Sequence, residues 1–247
     1  MKTFNTMLKT ELKISLRGMD MFIFAICMPI IVLVVLGSIY GNKPAFDGAT
    51  YTFLDQSFGA IASIAICAGG VMGLPLVVSD YRSKHILKRF KVTPVKPTVI
   101  LLVQVTIYAL YALVSLILLL IVATLLFGFQ MHGSFFQFIL GWILVMASLF
   151  SIGMMVGGIA KNSKIAGIIA SALYFPMLIF SGATLPYEIM PLAMQKIVDV
   201  LPLTQGIKIL KSATLGLPID NVSLSIIIIA VISLVCSVIS IKFFKWE

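Results

Sequence analysis

Charged residues are scarce in this sequence of 247 residues: Asp, Glu, Lys and Arg make up 11%, whereas soluble domains contain roughly 25%. Apolar residues make up 60%, above the usual value of about 45 to 50%. These two departures exclude an ordinary soluble domain. Because a helix needs roughly 20 apolar residues to cross a bilayer, the length allows about six spans in a single membrane domain.

Cysteine and histidine are also rare, which argues against metal and redox chemistry. The three cysteines, Cys27, Cys67 and Cys236, lie far apart in apolar segments without a C-x-x-C pair, as is typical of packing residues. The two histidines lie in different loops and do not predict a shared metal site. No Gly-Lys dipeptide occurs, which excludes a phosphate-binding P-loop. We therefore expect no catalytic residues and no metal ligands.

Six apolar runs are long enough to cross a membrane. They lie at roughly 21–41, 56–78, 98–128, 135–160, 165–184 and 223–243. Apart from Lys242 at the end of the last run, none contains Asp, Glu, Lys, Arg or His. An ion-coupled carrier normally needs such groups at membrane depth, so the pattern disfavours one. The sequence predicts an all-α integral membrane protein with one transmembrane domain over 1–247.

Basic residues are distributed unequally between the two sides of the predicted bundle. Fourteen of the 18 Lys and Arg residues lie in the N-terminal leader, the loops at 79–97 and 161–164, and the C-terminal end. The positive-inside rule therefore predicts a protein of the cell membrane with both termini on the cytoplasmic side. An even number of spans agrees with this orientation. Topology and anionic lipid headgroups explain the net charge of +9, so we expect membrane lipids and no nucleic acid as partners.

Two segments outside the spans have apolar residues at helical spacing. In the leader 1–20, Phe4, Met7 and Leu8 share one face with later leucines, which predicts an amphipathic helix on the cytoplasmic membrane surface. The extracellular segment 185–222 is interrupted by prolines, and its apolar stretches are too short to cross a bilayer. It predicts short interfacial or re-entrant helices, with an ordinary surface loop as the alternative.

The cytoplasmic loop at 79–97 contains apolar residues at helical spacing, which membrane topology does not explain. Ile86, Leu87 and Phe90 alternate with basic residues at a spacing that fits one face of a short helix, and Pro94 ends the pattern. An amphipathic helix between two spans can dock into a groove on another protein. The loop therefore predicts a cytoplasmic partner.

A stripe of mild polar groups follows one face of the third run. Gln104, Tyr108, Tyr111 and Ser115 lie at i, i+4, i+7 and i+11. Such groups turn inward from hydrocarbon to find hydrogen-bond partners. The stripe either holds the bundle together or lines a path for a substrate.

The loop resembles a stretch in the membrane subunits, or permeases, of type-2 ATP-binding cassette (ABC) exporters, of the form R-E-R-E-E-G-T-L-K-R-L-R-A-T-P-L. The positions that agree with this form are Arg82, Leu87, Lys88, Arg89, Thr93 and Pro94. Tyr81, Ser83 and Lys84 stand where acidic residues are usual, and His85 stands where glycine is usual. A second match, a proline within the fifth span followed by Ser-Gly and later prolines, is formed by Pro176, Ser181, Gly182, Pro186 and Pro191.

The resemblance to drug- and antibiotic-resistance exporters of this family implies partners and site residues. Such permeases pair with a second copy or a paralogue and bind a separate cytoplasmic ATPase, which carries the ATP and Mg²⁺. The residues implied in coupling to the ATPase are Arg82, Ile86, Leu87, Lys88, Arg89, Phe90, Thr93 and Pro94. The resemblance also implies that the second and fifth spans face the substrate path. Together with the polar stripe on the third run, the predicted path residues are Gln104, Tyr108, Tyr111, Ser115, Pro176, Ser181 and Gly182.

The expected function is export from a bacterial cell, powered by the ATPase subunit. Short outer loops and spans without fixed charge favour a hydrophobic or amphipathic cargo, such as a drug, an antibiotic, a peptide or a lipid-like compound. The alternative is a membrane-embedded sensor or assembly scaffold that binds a cytoplasmic ATPase and transports nothing.

Overall fold

The computed structural model of the protein describes residues 2–41, 43–46, 48–86, 97–182, 191–218 and 221–243. Within these ranges the chain is helical apart from short turns and one isolated bridge between Pro44 and Thr52. Six helical segments have the length and composition of membrane spans. Numbered as spans 1 to 6, they are Ile23–Tyr40, Phe53–Ser83, Thr98–Phe127, Phe135–Ile159, Ser163–Phe180 and Val222–Phe243. The predicted all-α membrane fold with six spans is confirmed.

Span 2 lies at the centre of the bundle, because 83% of the residues in its most apolar stretch of 18 residues are buried. Span 4 is the next most buried, whereas fewer than half of the residues of spans 1, 3, 5 and 6 are buried. The exposed side chains of these four spans are mostly large and apolar, as hydrocarbon surroundings require. Residues on span 2 are therefore enclosed by protein, and the outer spans present apolar surface to lipid or to another subunit.

Two of the spans contain a π-helical turn, which lies at the start of span 1 and near the middle of span 2. The wide turns occupy Ile23–Cys27 in span 1 and Ala68–Gly73 in span 2. In each case a proline, Pro29 or Pro75, follows within the first turn of the next α-helix. Proline has no N–H to donate to the preceding turn, so the hydrogen-bond ladder must change at these points.

Close packing joins span 2 to span 4 at this π-helical turn. A methyl group built on Gly153 of span 4 would clash with the carbonyl oxygen of Gly70 in span 2. Glycine is therefore required at position 153 for the two backbones to lie this close. The contact fixes the middle of the central span against its neighbour.

The N-terminal helix, Lys2–Gly18, is amphipathic as predicted. Its apolar side chains, which include Phe4, Met7 and Leu8, pack against the core of the bundle, whereas Lys9 and Lys13 are exposed. The apolar face is thus covered by protein and does not simply lie on lipid. The end of the bundle where this helix lies is called the basal end. The span termini at this end are Ser83, Thr98, Ile159 and Ser163. The predicted topology places the basal end on the cytoplasmic side.

Two short helices fill the described part of the segment between spans 5 and 6: Leu192–Val198 and Pro202–Leu215. The second has ten buried residues, and its Leu203 and Leu210 are fully enclosed. It packs against spans 2, 4 and 6 at the end opposite the basal end. The prediction of short helices is confirmed, and the surface-loop alternative is wrong for residues 191–218.

Candidate functional site

The structure describes the entrance to the predicted coupling loop. Of the eight predicted coupling residues, Arg82 and Ile86 lie within the described part of the chain. The other six, Leu87, Lys88, Arg89, Phe90, Thr93 and Pro94, lie outside the described residues. What the structure shows is how span 2, which leads into the loop, is held at its basal end.

Span 2 ends at Ser83, and the chain then changes direction at His85. The N–H of Lys84 caps the helix by donating to the carbonyl oxygens of Arg82 and Asp80. His85 has a φ of 55°, in the left-handed region where a Cβ is crowded. Glycine adopts this conformation without strain. The backbone at His85 therefore explains why the family pattern has glycine at this position.

Arg82 turns inward from the end of span 2. It is 8% exposed, and its Nη1 donates to the carbonyl oxygens of Gly157, at 3.3 Å, and Gly158. Both carbonyls belong to the last turn of span 4, where no further helical N–H can reach them. A guanidinium at this position also meets the negative end of the helix dipole. Arg82 thus ties span 2 to span 4.

A second polar group joins the N-terminal helix to spans 2 and 3. The hydroxyl of Tyr81 donates to Glu11 Oε2 over 2.6 Å. Gln104 Nε2 donates to the same Glu11 oxygen over 3.0 Å and to the Tyr81 hydroxyl over 3.1 Å. One carboxylate oxygen therefore holds two side chains from different spans.

A further bond extends this contact along the same helix. Ser15 Oγ and Tyr111 Oη are 2.9 Å apart and share a hydrogen bond. We call the whole set the basal junction. Its members are Glu11, Ser15, Tyr81, Arg82, Gln104, Tyr111, Gly157 and Gly158.

The polar stripe on span 3 faces the protein interior. Gln104, Tyr108, Tyr111 and Ser115 are each at most 4% exposed. Gln104 and Tyr111 bind the N-terminal helix, which is the bundle-stabilising alternative that the sequence left open. The role of the stripe in a substrate path stays a prediction.

The other predicted path residues lie near the opposite end of the bundle. Pro176 is inside span 5, and the N–H of Ser181 ends that helix by donating to Met177 O. Ser181 is 1% exposed, and Gly182 has a φ of 92°, which only glycine adopts readily. The Ser-Gly pair therefore terminates span 5. Gln104 is close to the basal end, whereas Ser181 and Gly182 follow the far end of span 5.

The sequence analysis missed a buried carboxylate at the start of span 2. Asp55 is 3% exposed and forms a capping box with Thr52. Its Oδ1 also accepts from the N–H of Gln130 at 3.1 Å, and its Oδ2 lies 3.4 Å from His132 Nε2. The spacing T-x-x-D is a helix-start signal that could have placed Asp55 inside the helix. Asp55 fixes the loop between spans 3 and 4 to the start of span 2.

The buried charged side chains of the described residues have structural partners. No cluster of three or more His, Cys, Asp and Glu side chains within them could hold a metal ion. The two charged side chains buried there, Asp55 and Arg82, lie near opposite ends of span 2 and are both hydrogen-bonded. These groups have structural partners, and neither is arranged with a nucleophile.

These features define a polytopic membrane protein whose central span leads into a basic loop. Comparison with known proteins identifies the family, because residues 2–215 match the family model described as ABC-2 type transporter. The chain belongs to the ABC-2 type transporter family, whose membrane domain is the permease component of ABC transporters. The resemblance found in the sequence is confirmed.

A curated relative shows similarity over a shorter stretch. The chain is 37% identical over 76 residues to Nodulation protein J of Rhizobium leguminosarum bv. viciae. This match covers 31% of the present chain and 29% of the relative. The chain thus spans under a third of the length of the curated relative that it matches.

Proposed function

We propose that this chain is the permease subunit of an ATP-driven exporter that moves a hydrophobic or amphipathic compound out of a bacterial cell. A drug, an antibiotic, a peptide or a lipid-like compound would fit this description. Energy would come from a separate cytoplasmic ATPase subunit that binds ATP and Mg²⁺. The observation that carries the proposal is membership of the ABC-2 family in a sequence that contains no P-loop of its own.

The basal junction supports a route for mechanical coupling. Tyr81 and Arg82 lie in the last turn of span 2, at the start of the predicted coupling stretch, and they are bonded to the N-terminal helix and to span 4 respectively. A push on the loop would reach three other elements through these bonds, because Gln104 adds span 3 to the same group. An ATPase that docks on the loop would therefore move several helices together.

The nature of the described spans supports an uncharged or amphipathic cargo. Their buried polar side chains are mainly hydroxyls and amides, such as Ser63, Ser148 and Gln104. Cargo with a high fixed charge would need a charged partner at membrane depth. The protein offers apolar surface and mild hydrogen-bonding groups, which suit a molecule that partitions into the membrane.

The exposed faces of the outer spans support pairing with a second permease. Span 5 has only 22% of its residues buried, although the family resemblance places it beside the substrate path. Its exposed side chains include Ile168, Phe175 and Ile179. A second copy or a paralogue would cover part of this surface and complete the path.

Copurification tests whether the loop binds an ATPase. An affinity-tagged chain isolated in mild detergent from its own organism is expected to retain a subunit with a Walker motif, identified by mass spectrometry. Leu87→Asp and Phe90→Asp should reduce the retained ATPase by at least about tenfold, because each places a charge on the predicted apolar docking face. Phe46→Asp, in an exposed loop at the other end, is the control. Full retention by both loop variants would contradict the docking assignment.

A further inference from the structure

We infer that Glu11 is a positioning residue for energy coupling, and that it supplies from the N-terminal helix the carboxylate that the family pattern has at position 81. The inference rests on the proposed function, since it concerns how the ATPase drives transport. In the family pattern the acidic residue is at position 81, in span 2. In this protein position 81 is Tyr81, and we infer that the acidic group is on the N-terminal helix instead.

The geometry places the Glu11 carboxylate next to the residue that replaces the usual acid. Tyr81 points its hydroxyl at Glu11 Oε2, over a distance of 2.6 Å. The phenol is longer than a glutamate side chain and spans the gap to the neighbouring helix. Because Gln104 Nε2 reaches both groups, the carboxylate at position 11 serves spans 2 and 3 together.

The neighbouring acidic residue does not make such a link. Asp80 Oδ2 is 2.8 Å from Lys84 Nζ, one helical turn away on the same helix, and the Lys84 side chain is 65% exposed. An exposed pair within one helix contributes little and connects no second element. Among the described residues at the basal end, Glu11 is the carboxylate that bridges separate helices.

The chemistry of the site explains why a carboxylate is needed. A tyrosine hydroxyl and an amide N–H both donate, so the group between them must accept twice through one oxygen. An ionised carboxylate accepts such bonds more strongly than a neutral amide does. Partial burial increases the effect, because less water competes for the same donors. Loss of the charge would loosen the N-terminal helix from span 2 beside the coupling loop.

The test compares transport with ATP hydrolysis in one preparation. The permease with its copurified ATPase is reconstituted into lipid vesicles, and ethidium export and phosphate release are measured together. Glu11→Gln should keep ATP hydrolysis within about twofold and lower export per ATP by about tenfold, as expected from weakening two charge-assisted hydrogen bonds. Thr10→Ala is the control, since its exposed hydroxyl bonds only to Thr6 O in the same helix.

A rescue experiment separates positioning from general stability. The double variant Glu11→Gln with Tyr81→Glu returns the carboxylate to the family position and should restore export per ATP to within about threefold of the wild type, as for coupled neighbours. Tyr81→Glu alone puts two carboxylates side by side and should also impair export.

Two outcomes would overturn the inference while leaving the proposed function intact. In the first, Glu11→Gln exports as much ethidium per ATP as the wild type. In the second, Glu11→Gln and the double variant lose export, hydrolysis and complex yield in equal proportion, which marks a merely structural residue. If the wild-type complex itself hydrolyses ATP without exporting ethidium or any other hydrophobic probe, the failure lies in the proposed function.

Discussion

Arg82 shows how a residue can match a functional motif and yet act through the protein's own backbone. The family resemblance assigns it to the coupling stretch, but its guanidinium points at the last carbonyls of span 4. The hydroxyl of its neighbour Tyr81 also bonds within the protein, to the carboxylate of Glu11. We therefore expect the motif to contain two kinds of residue: those that hold the end of span 2, and those of the loop that meet the partner.

Replacement of Arg82 tests this division at the level of one side chain. Arg82→Met keeps the length and leaves the carbonyls of Gly157 and Gly158 without their donor. We expect the free energy of unfolding to fall by about 1.5 to 3 kcal/mol, the range for a hydrogen bond to a charged group. The measurement is unfolding of the detergent-solubilised protein by SDS titration.

Lys84→Met is the matched control for this substitution. Lys84 lies two residues further along and forms only an exposed pair with Asp80, so its loss should cost about 0 to 1 kcal/mol. Equal stability of the Arg82 and Lys84 variants would show that the bonds to span 4 contribute nothing.

The partners of individual residues could not be predicted from the sequence. The pattern placed Gln104 and Tyr111 on one helical face, and both are buried in the structure. The assignment of Arg82 to the coupling stretch stays a prediction. The pattern could not show that Glu11 and Gln104, which are 93 positions apart, bind each other. Periodicity reports which side of a helix a residue occupies, whereas a hydrogen-bond partner depends on how helices pack. Asp55 was missed because the apolar run was read as starting after it.

At the scale of elements, the contact between spans 2 and 4 depends on the absence of a side chain. The carbonyl oxygen of Gly70 occupies the space where a Cβ of residue 153 would lie. The π-helical turn of span 2 brings this carbonyl toward span 4. Both the turn and the small residue are therefore needed for the central span to pack as it does.

Gly153→Ala tests this packing. The added methyl group meets backbone, which cannot move aside as a flexible side chain can, so the two spans must separate. We expect a loss of about 1 to 3 kcal/mol in the free energy of unfolding, as in other overpacked cores. Gly18→Ala is the control, because no atom lies within 4 Å of its added methyl group. The same SDS titration serves, and unchanged stability of Gly153→Ala would contradict the described contact.

The helices were more predictable than their contacts. Hydropathy alone located the six spans, because the bilayer requires long apolar helices whatever the tertiary packing. Helical spacing also indicated the helix Pro202–Leu215, but it could not show that this helix would be enclosed by spans 2, 4 and 6. The π-helical turns depend on backbone strain around proline and on packing, for which a single sequence offers no reliable pattern.

At the scale of the whole molecule, the protein is a bundle of six spans that belongs to the ABC-2 type transporter family. The basal junction connects the N-terminal helix with spans 2, 3 and 4 beside the loop that resembles the family's coupling stretch. Near the opposite end, Ser181 and Gly182 end span 5 and Asp55 fixes the start of span 2. Under the proposed function, the spans would carry a push at the junction to that end.

The most direct test of the account is export from sealed vesicles by the purified permease–ATPase complex. Ethidium, doxorubicin and a fluorescent phospholipid are followed in parallel, with ATP supplied on the side of the ATPase. The account predicts that at least one probe moves only when ATP is hydrolysed, and that Leu87→Asp and Phe90→Asp abolish this movement. ATP hydrolysis without movement of any probe would instead identify a scaffold, and movement driven by an ion gradient without ATP would identify a carrier. Either result would contradict the account.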